Sequence, residues 1–237
     1  IYARTWNFPM SYSTFLIDLD HTLFDTDASE VASFDDTLRA AGIADPEPLL
    51  GPYQRINLEL WAMVEEGDMR PQDVRTRRFE RLVDEHSVAA DPLQLADDFV
   101  AGLGTHGELY AGTCEVLDEL SRQASLALIT NGLSEVQRAR IRRLGLDEFF
   151  DAIVISAEVG AAKPGTEIFD ITFAALESPE RETALMVGDN LSSDIQGGIN
   201  YGIATCWYNP QGKSAADDNS IHHEITDLRE LLRLVAL

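Results

Sequence analysis

The sequence predicts an α/β fold in which a doubly wound parallel sheet of five strands carries a separate, all-helical insert. Five short runs are rich in apolar or β-branched residues that follow one another with little alternation, which is typical of strands buried on both faces. These strands are predicted at Thr14–Leu19, Ser125–Thr130, Ala152–Ser156, Ala184–Gly188 and Ile203–Tyr208. Amphipathic segments of helical length lie between the last four runs, and this alternation predicts right-handed crossovers with helices on both faces of the sheet.

The helices of this α/β unit follow the same periodicity, with apolar residues recurring on one face. They are predicted at Thr113–Gln123, Ser134–Leu144, Glu167–Leu176, Ser192–Tyr201 and Asp227–Leu234. The polar stretch 211–220 before the last helix is predicted to be a mobile loop.

The interval 25–110 differs because it contains no clear strand. Its helices are predicted at Ser29–Ala41, Tyr53–Glu66, Pro71–His86 and Pro92–Gly102, separated by loops rich in Gly, Pro and Asp. An all-helical block after the first strand predicts a cap domain at 25–110, inserted into a core domain formed by 10–24 and 111–237. Residues 1–9 precede Met10 and are interpreted as an expression remnant or a disordered N-terminus.

The charge balance excludes two classes of partner. The chain has 41 acidic and 18 basic residues, a formal net charge of −23. A field of this sign repels nucleic-acid polymers and anionic membrane surfaces, so we expect neither as a partner. Cys114 and Cys206 lie in no metal-ligand spacing, which favours two free thiols and a cytoplasmic protein.

Acidic side chains follow the first predicted strand. Asp18 and Asp20 stand at its carboxyl end, where open α/β sheets bind their ligands. Two carboxylates so close repel each other unless a proton or a cation lies between them. A hard divalent ion such as Mg²⁺ accepts a few protein carboxylates together with water and phosphate oxygens.

The ends of the other strands carry complementary groups. Thr130, Asn131 and Gly132 form a strand-to-helix turn that can donate hydrogen bonds to a phosphate. Lys163, one of two lysines in the chain, lies between the third strand and its helix. Asp189 and Asp194 follow the fourth strand; either alone is typical of a helix cap, but the combination of four strand ends favours phosphate chemistry.

These residues resemble the motifs of the haloacid dehalogenase superfamily. DLDHT at 18–22 looks like the first motif, D-x-D-x-T, of its phosphatases. Thr130 matches the second motif, Lys163 the third, and GDNLSSD at 188–194 the acidic fourth. The resemblance extends from Thr14 to the C-terminal helix, and it implies a Rossmann-like core with a helical cap of the first subclass.

The resemblance also implies roles for the acidic residues. Asp18 would attack phosphorus and form an aspartyl-phosphate, and Asp20 would protonate the leaving oxygen and then activate water. Dehalogenases of the superfamily lack an Asp at the second position, so Asp20 favours phosphoryl transfer. Asp18, the main-chain carbonyl of Asp20 and Asp189 would hold Mg²⁺, with Asp194 in support through water or by orienting the motif lysine.

The remaining motif residues are implied in phosphate binding. Thr130 would orient the phosphate together with Asn131 and Gly132, and Lys163 would balance its charge. Tyr53, Asn57 and Trp61 recur every four residues on one predicted helix face. They are open to two interpretations: stacking on a base with a hydrogen bond from the amide to its edge, or the favoured alternative of packing inside the cap.

The segments TNGLSEVQ and MVGDNLSSDIQGG look most like those of bacterial pyrimidine 5′-nucleotidases, which implies a small phosphorylated metabolite as substrate. N-acylneuraminate 9-phosphatases are the nearest alternative, and phosphoglycolate phosphatases are a third. A phosphomutase or phosphotransferase would use the same four motifs. A non-catalytic binding module is disfavoured because Asp18, Asp20, Lys163 and Asp189 are all present.

Overall fold

A computed structural model describes residues 11–214 and 221–236. The predicted N-terminal remnant at 1–9, and residues 215–220 of the predicted loop at 211–220, lie outside the described residues. Within the described part of the chain, no helix is both long and apolar enough to cross a membrane.

The centre of the molecule is a parallel sheet, which contains six strands among the described residues. The strands are β1 (Thr14–Ile17), β2 (Ser125–Thr130), β3 (Ala152–Ile155), β4 (Ala184–Gly188), β5 (Ala204–Tyr208) and β6 (His223–Ile225). Their order is β3-β2-β1-β4-β5-β6, so the strand that carries Asp18 at its end is flanked on both sides. All five pairings are parallel.

The predicted number of five strands was too low by one. β6 pairs with β5 at the edge of the sheet, and it has only three residues, of which one is buried. Because an edge strand with one buried position has no continuous apolar run, periodicity alone does not detect it.

Helices cover both faces of the sheet. They are α5 (Thr113–Ser121), α6 (Ser134–Arg143), α7 (Ser156–Val159), α8 (Thr166–Ala175) and α9 (Gln196–Tyr201). One apolar cluster joins β1 and β2 to α5, α6 and the C-terminal segment, and another joins the opposite face to α8 and α9. The class predicted from the sequence, a doubly wound α/β core, is confirmed.

Two predicted helices have a different geometry. The segment predicted as one helix at Ser192–Tyr201 begins as a π-helical turn, Leu191–Ile195, and continues as α9. The side-chain oxygen of Asn190 accepts hydrogen bonds from the N–H groups at its start, which shapes this wide first turn. The last predicted helix, Asp227–Leu234, is a 3₁₀-helix at Leu228–Arg233.

Four further helices pack above the carboxyl edge of the sheet. They are α1 (Thr26–Ala40), α2 (Glu47–Glu65), α3 (Pro71–His86) and α4 (Pro92–Thr105), and we call them the cap. Its apolar interior is a cluster of aromatic and aliphatic side chains that also includes Leu133 and Val136 at the start of α6. All four helices fall within the interval 25–110, whose status as a separate domain stays a prediction.

Candidate active site

The loop after β1 brings two carboxylates to one pocket. The N–H groups of Leu23 and Phe24 both donate to the carbonyl of Leu19, which closes a tight turn directly after the strand. Because the chain turns back here, Asp18 and Asp20 line the same pocket. This placement agrees with the expectation that both approach one ligand.

Lys163 is fully enclosed beside the end of β1. Its Nζ lies 2.5 Å from Oδ1 of Asp18 and 2.7 Å from Oδ1 of Asp194, and it donates a 2.8 Å hydrogen bond to the carbonyl of Ile129. Burial acts to lower the pKa of this ammonium group, but the two carboxylates outweigh it and raise the pKa above its usual value. The lysine therefore keeps its charge although its side chain is only 1% exposed.

Three carboxylates converge next to this ammonium group. One oxygen each from Asp18, Asp189 and Asp194 lies within 4.8 Å of the others. Burial, followed by the charge of Asp194, raises the pKa of Asp189 to about 6. Burial also raises the pKa of Asp18 well above its usual range, and the neighbouring carboxylates add to this effect while Lys163 opposes it.

Three carboxylates beside one ammonium group leave an excess of negative charge, and burial is the main cause of the raised pKa values of Asp18 and Asp189. A cluster of oxygen ligands in that condition fits a hard divalent cation such as Mg²⁺. The side chain of Asp20 is not part of this cluster, so its predicted contribution to a metal site remains the main-chain carbonyl.

Asp194 lies beside Lys163, and its support of a metal site stays a prediction. Its Oδ2 accepts the N–H of Asn190, and its Oδ1 lies against Lys163. Gly188 at the end of β4 makes room for this carboxylate, because a Cβ at that position would collide with the Asp194 side chain. The glycine of the GDNLSSD segment is thus explained by a close approach.

Asp20 is held by three donors among the described residues. Thr26 Oγ1 donates to Oδ1 at 2.6 Å, Arg140 Nη1 donates to Oδ1 at 2.7 Å, and Gln137 Nε2 donates to Oδ2 at 2.5 Å. Burial acts to raise the pKa of Asp20, but the charge of Arg140 and the hydrogen bond from Thr26 lower it below its usual value.

Sequence reasoning missed Gln137 and Arg140. Both lie on the buried face of α6 at a spacing of three residues, beside Val136 and Ile141. Two polar residues at helical spacing on an apolar face, directly after the Asn131-Gly132 turn, were the signal that could have identified them.

The predicted phosphate-binding turn is occupied by structural hydrogen bonds. The Asn131 side chain donates to the Lys163 carbonyl and accepts from the Lys163 N–H, so it fixes the lysine loop. The N–H of Gly132 donates to Ser156, and the Thr130 hydroxyl accepts from Gln137. The roles of Thr130, Asn131 and Gly132 in phosphate binding therefore stay predictions.

A pocket of about 530 Å³ lies between the cap and the side chains of Asp18, Asp20 and Lys163. Its cap side includes Glu30, Asn57, Trp61 and Arg78. Tyr53, in contrast, is fully buried and packs against Phe34, Phe79 and Phe99, so the interpretation of Tyr53 as a base-stacking residue is wrong.

Arg78 is the most unusual side chain of the cap. It is 2% exposed, and its Cζ lies 4.5 Å from the ring centroid of Phe99. Nη1 makes a long 3.4 Å hydrogen bond to Oδ1 of Asn57, whose amide nitrogen donates to Glu30. Nε and Nη2 have no hydrogen-bond partner among the described residues.

Comparison with known proteins places this geometry in a family. The sequence profile described as "Haloacid dehalogenase-like hydrolase" matches residues 15–208. The chain therefore belongs to the haloacid dehalogenase-like hydrolases, and it is an enzyme of the phosphatase type that its Asp20 predicts.

Individual relatives span nearly the whole chain. HAD-hydrolase YfnB of Bacillus subtilis is 33% identical over 224 residues (94% of this chain, 95% of YfnB). The magnesium-bound crystal structure of YfnB superposes with a TM-score of 0.86 over 96% of this chain and 100% of YfnB. Pyrimidine 5′-nucleotidase YjjG of Escherichia coli is 32% identical over 231 residues (95% and 99%). Ribulose-1,5-bisphosphate 5-phosphatase of Halopiger xanaduensis is 30% identical over 237 residues (93% and 98%). The names of these relatives indicate different substrates.

Proposed function

We propose that this protein is a Mg²⁺-dependent phosphohydrolase that removes phosphate from pyrimidine nucleoside 5′-monophosphates through an aspartyl-phosphate. The observation that carries the proposal is the group of Asp18, Lys163, Asp189 and Asp194 at the floor of a pocket closed by the cap. Nucleophile, fixed positive charge and metal-type ligands lie together there, and phosphoryl transfer requires little more than their positioning.

In the first half of the reaction, Asp18 attacks phosphorus in line with the ester oxygen. A P–O bond to Asp18 forms as the P–O bond to the leaving oxygen breaks. The leaving oxygen keeps the electron pair of the broken bond and receives a proton from Asp20. Lys163 compensates the negative charge of the nucleophile and of the transferring group. A bound phosphate dianion also opposes the effect of Arg140 on Asp20, because a nearby negative charge favours the protonated carboxyl.

In the second half, Asp20 removes a proton from water as the water oxygen forms a bond to phosphorus. The P–O bond to Asp18 breaks, Asp18 regains its carboxylate and inorganic phosphate leaves. Asp20 is ionised at this point because it has given its proton to the leaving oxygen, and its lowered pKa keeps it ionised until water attacks. Asp18, Asp189, Asp194 and the main-chain carbonyl of Asp20 would hold Mg²⁺. The ion, when bound, supplies charge that stabilises the phosphate oxygens.

The cap side of the pocket supports a nucleoside leaving group. Trp61 offers a ring face on which a base can stack, and stacking of this kind contributes about 1–3 kcal/mol per base. Arg78 and Asn57 offer donors for the carbonyl oxygens of a pyrimidine, and Glu30 offers an acceptor. The volume of about 530 Å³ lies within the range of small-molecule sites.

A sugar phosphate is the second candidate, and one observation favours it. The free N–H groups of Arg78, Nε and Nη2, also match two oxygens of a carboxylate or of a second phosphate. N-acylneuraminate 9-phosphate, phosphoglycolate and ribulose 1,5-bisphosphate all carry such a second anionic group.

The test is phosphate release with and without Mg²⁺ from UMP, dUMP, dTMP, AMP and the three doubly anionic esters, with Asp18→Asn as the control. We expect the pyrimidine nucleotides to be hydrolysed fastest and Asp18→Asn to abolish release. Preference for a doubly anionic ester would replace the substrate and keep the mechanism. Full activity of Asp18→Asn would contradict the mechanism, and transfer to an acceptor without free phosphate would indicate a phosphotransferase.

A further inference from the structure

Arg140 on α6 joins the cap to the carboxylate of Asp20. Its Nη1 donates to Asp20 Oδ1 at 2.7 Å, its Nε donates to the carbonyl of Leu103 in α4 at 2.9 Å, and its Nη2 donates to Ser29 Oγ in α1 at 3.2 Å. The plane of the guanidinium also lies against Phe24, with 4.4 Å from Cζ to the ring centroid. Each of the three guanidinium nitrogens of this buried arginine therefore donates a hydrogen bond, one to Asp20 after β1 and two to the cap helices.

The hydrogen bonds to Asp20 differ between its two oxygens. Oδ1 accepts from both Arg140 and Thr26, whereas Oδ2 accepts from Gln137 alone among the described residues. A carboxylate has about four lone-pair positions, two on each oxygen. Both positions on Oδ1 are occupied, so one position on Oδ2 is left for a proton.

We propose that Arg140 is a positioning residue that, by filling Oδ1 of Asp20, holds Oδ2 as the single atom that exchanges a proton with the leaving oxygen. The inference rests on the proposed role of Asp20 as acid and base. Because Arg140 is itself fixed by Ser29 and Leu103, the orientation of Asp20 depends on the seating of the cap. Loss of the guanidinium would let the carboxyl rotate or carry its proton on either oxygen.

Leaving-group dependence distinguishes this role from a structural one. An alkoxide, such as the 5′-oxygen of a nucleoside, needs a proton as it departs, whereas p-nitrophenolate is stable without one. A misplaced acid therefore slows hydrolysis of an alkyl phosphate and spares p-nitrophenyl phosphate. A partly unfolded enzyme loses both rates in proportion, so the ratio of the two kcat/KM values is independent of the folded fraction.

Arg143, one turn further along α6, provides a matched control. It donates to the cap carbonyls of His106 and Gly107 and lies 3.4 Å from Glu108, but it makes no contact with Asp20. Arg143→Met thus removes an arginine that joins α6 to the segment after α4, and it leaves the acid untouched.

The experiment measures kcat and KM for p-nitrophenyl phosphate and for the alkyl phosphate that the wild-type enzyme hydrolyses fastest. A displacement of about 1 Å in a catalytic group costs on the order of 100-fold in rate, so we expect Arg140→Met to lower the alkyl-to-aryl ratio of kcat/KM by about that factor. Because kcat/KM reports only the steps up to departure of the leaving group, hydrolysis of the shared aspartyl-phosphate does not affect this ratio. Arg140→Lys should recover part of the ratio, and Arg143→Met should leave it unchanged. Asp20→Asn sets the lower limit of the ratio.

Equal losses of kcat/KM on both substrates in Arg140→Met, or no loss on either, would overturn the inference. If Arg140→Met does not fold, Arg140→Lys carries the test, and its ratio must fall between those of the wild type and Asp20→Asn. An unchanged ratio in Asp20→Asn would remove the proposed role of Asp20 and this inference with it. A low ratio in Asp20→Asn together with wild-type ratios in both Arg140 variants would overturn the inference about Arg140 and leave the proposed role of Asp20 intact. Because the alkyl ester is chosen by activity, failure of the nucleotide assignment does not affect the comparison.

Discussion

Replacement of Arg78 by Met is expected to stabilise the ligand-free protein and to weaken its activity. The side chain is 2% exposed, and its Nε and Nη2 groups have no hydrogen-bond partner among the described residues. A buried polar group without a partner costs about 1–3 kcal/mol, and more when it is charged. Methionine is similarly long and flexible, and it can fill the same space without a polar atom that needs a donor or acceptor.

The favourable contacts of Arg78 reduce this gain without cancelling it. The guanidinium lies over Phe99 at 4.5 Å and near Phe79 at 5.8 Å, and a desolvated cation–π pair contributes up to about 2 kcal/mol. Removal of one partner of a buried ion pair costs about 3–5 kcal/mol, but among the described residues no carboxylate forms an ion pair with Arg78, so Arg78→Met breaks no such pair. We therefore expect Arg78→Met to raise the free energy of unfolding by about 1 kcal/mol, which corresponds to about 2–4 °C in Tm for a chain of this size.

The activity should change in the opposite direction. Hydrogen bonds to a charged group contribute about 1.5–3 kcal/mol, so kcat/KM for the preferred substrate should fall by about 10- to 100-fold. Thermal unfolding without ligand and steady-state kinetics measure the two effects. Arg75→Met on the same helix is the control, because Arg75 is partly exposed and paired with Asp97 and Glu135. A Tm for Arg78→Met several degrees below that of the wild type would refute the reasoning, since it would make the arginine a structural element of the cap.

Three other predictions concern the metal site, the pocket and the surface. Because the pKa of Asp189 is raised to about 6, its contribution to the stability of the metal-free protein is present near pH 4 and is lost as the pH rises through about 6. Below that pH, protons should compete with Mg²⁺ for this carboxylate and weaken Mg²⁺ binding. Calorimetric titration should show a stronger Mg²⁺ affinity at pH 7 than at pH 5, and equal affinities would contradict this prediction. Trp61→Ala should raise KM for a nucleotide about tenfold, because stacking on the base is lost. Tyr53→Phe should leave KM unchanged and stabilise the fold by up to about 1 kcal/mol, because the buried Tyr53 hydroxyl has no partner among the described residues. A changed KM in Tyr53→Phe would count against the residues assigned to the pocket. With a formal net charge of −23, the protein should become more stable as KCl is added, because screening reduces self-repulsion, and a Tm that falls with salt would refute this.

The arrangement of the site was predictable where it depends on strand order. Asp18 follows β1, Lys163 lies between β3 and α8, and Asp189 and Asp194 both follow β4; parallel strands bring their carboxyl ends to one edge of the sheet. Short apolar runs locate such strands in the sequence, so the cluster of acidic groups around one lysine followed from topology alone.

The partners of Asp20 were not predictable in the same way. Arg140 lies 120 residues away along the chain; its place on the apolar face of α6 is visible in the sequence, but the carboxylate that it pairs with is not. Arg78 presents the same difficulty, since an arginine in a helix is ordinarily exposed. Long-range pairing of buried charges depends on the packing of the cap on the core, which sequence patterns of a single element do not contain.

The residues of the α2 face do not share one environment, and the favoured prediction of packing inside the cap is confirmed for Tyr53. Tyr53, Asn57 and Trp61 recur every four residues, but an α-helix turns about 40° beyond a full circle in four residues, so the first and last of them differ by about 80° in direction. Tyr53 consequently points into the aromatic interior of the cap, while Trp61 reaches the pocket. A row of residues at four-residue spacing over two helical turns therefore runs from the interior of the cap at Tyr53 to the pocket at Trp61.

The apolar interior of the cap does not end where the inserted sequence ends. Leu133 and Val136 belong to the strand-helix unit of the core, yet they pack within the same cluster as the cap side chains. A chimera that exchanges residues 25–110 for the corresponding segment of a relative would therefore set foreign side chains against these two. Engineering of substrate range should treat the insert and the first turn of α6 as one exchangeable module, and diversification of such enzymes is expected to couple substitutions in both.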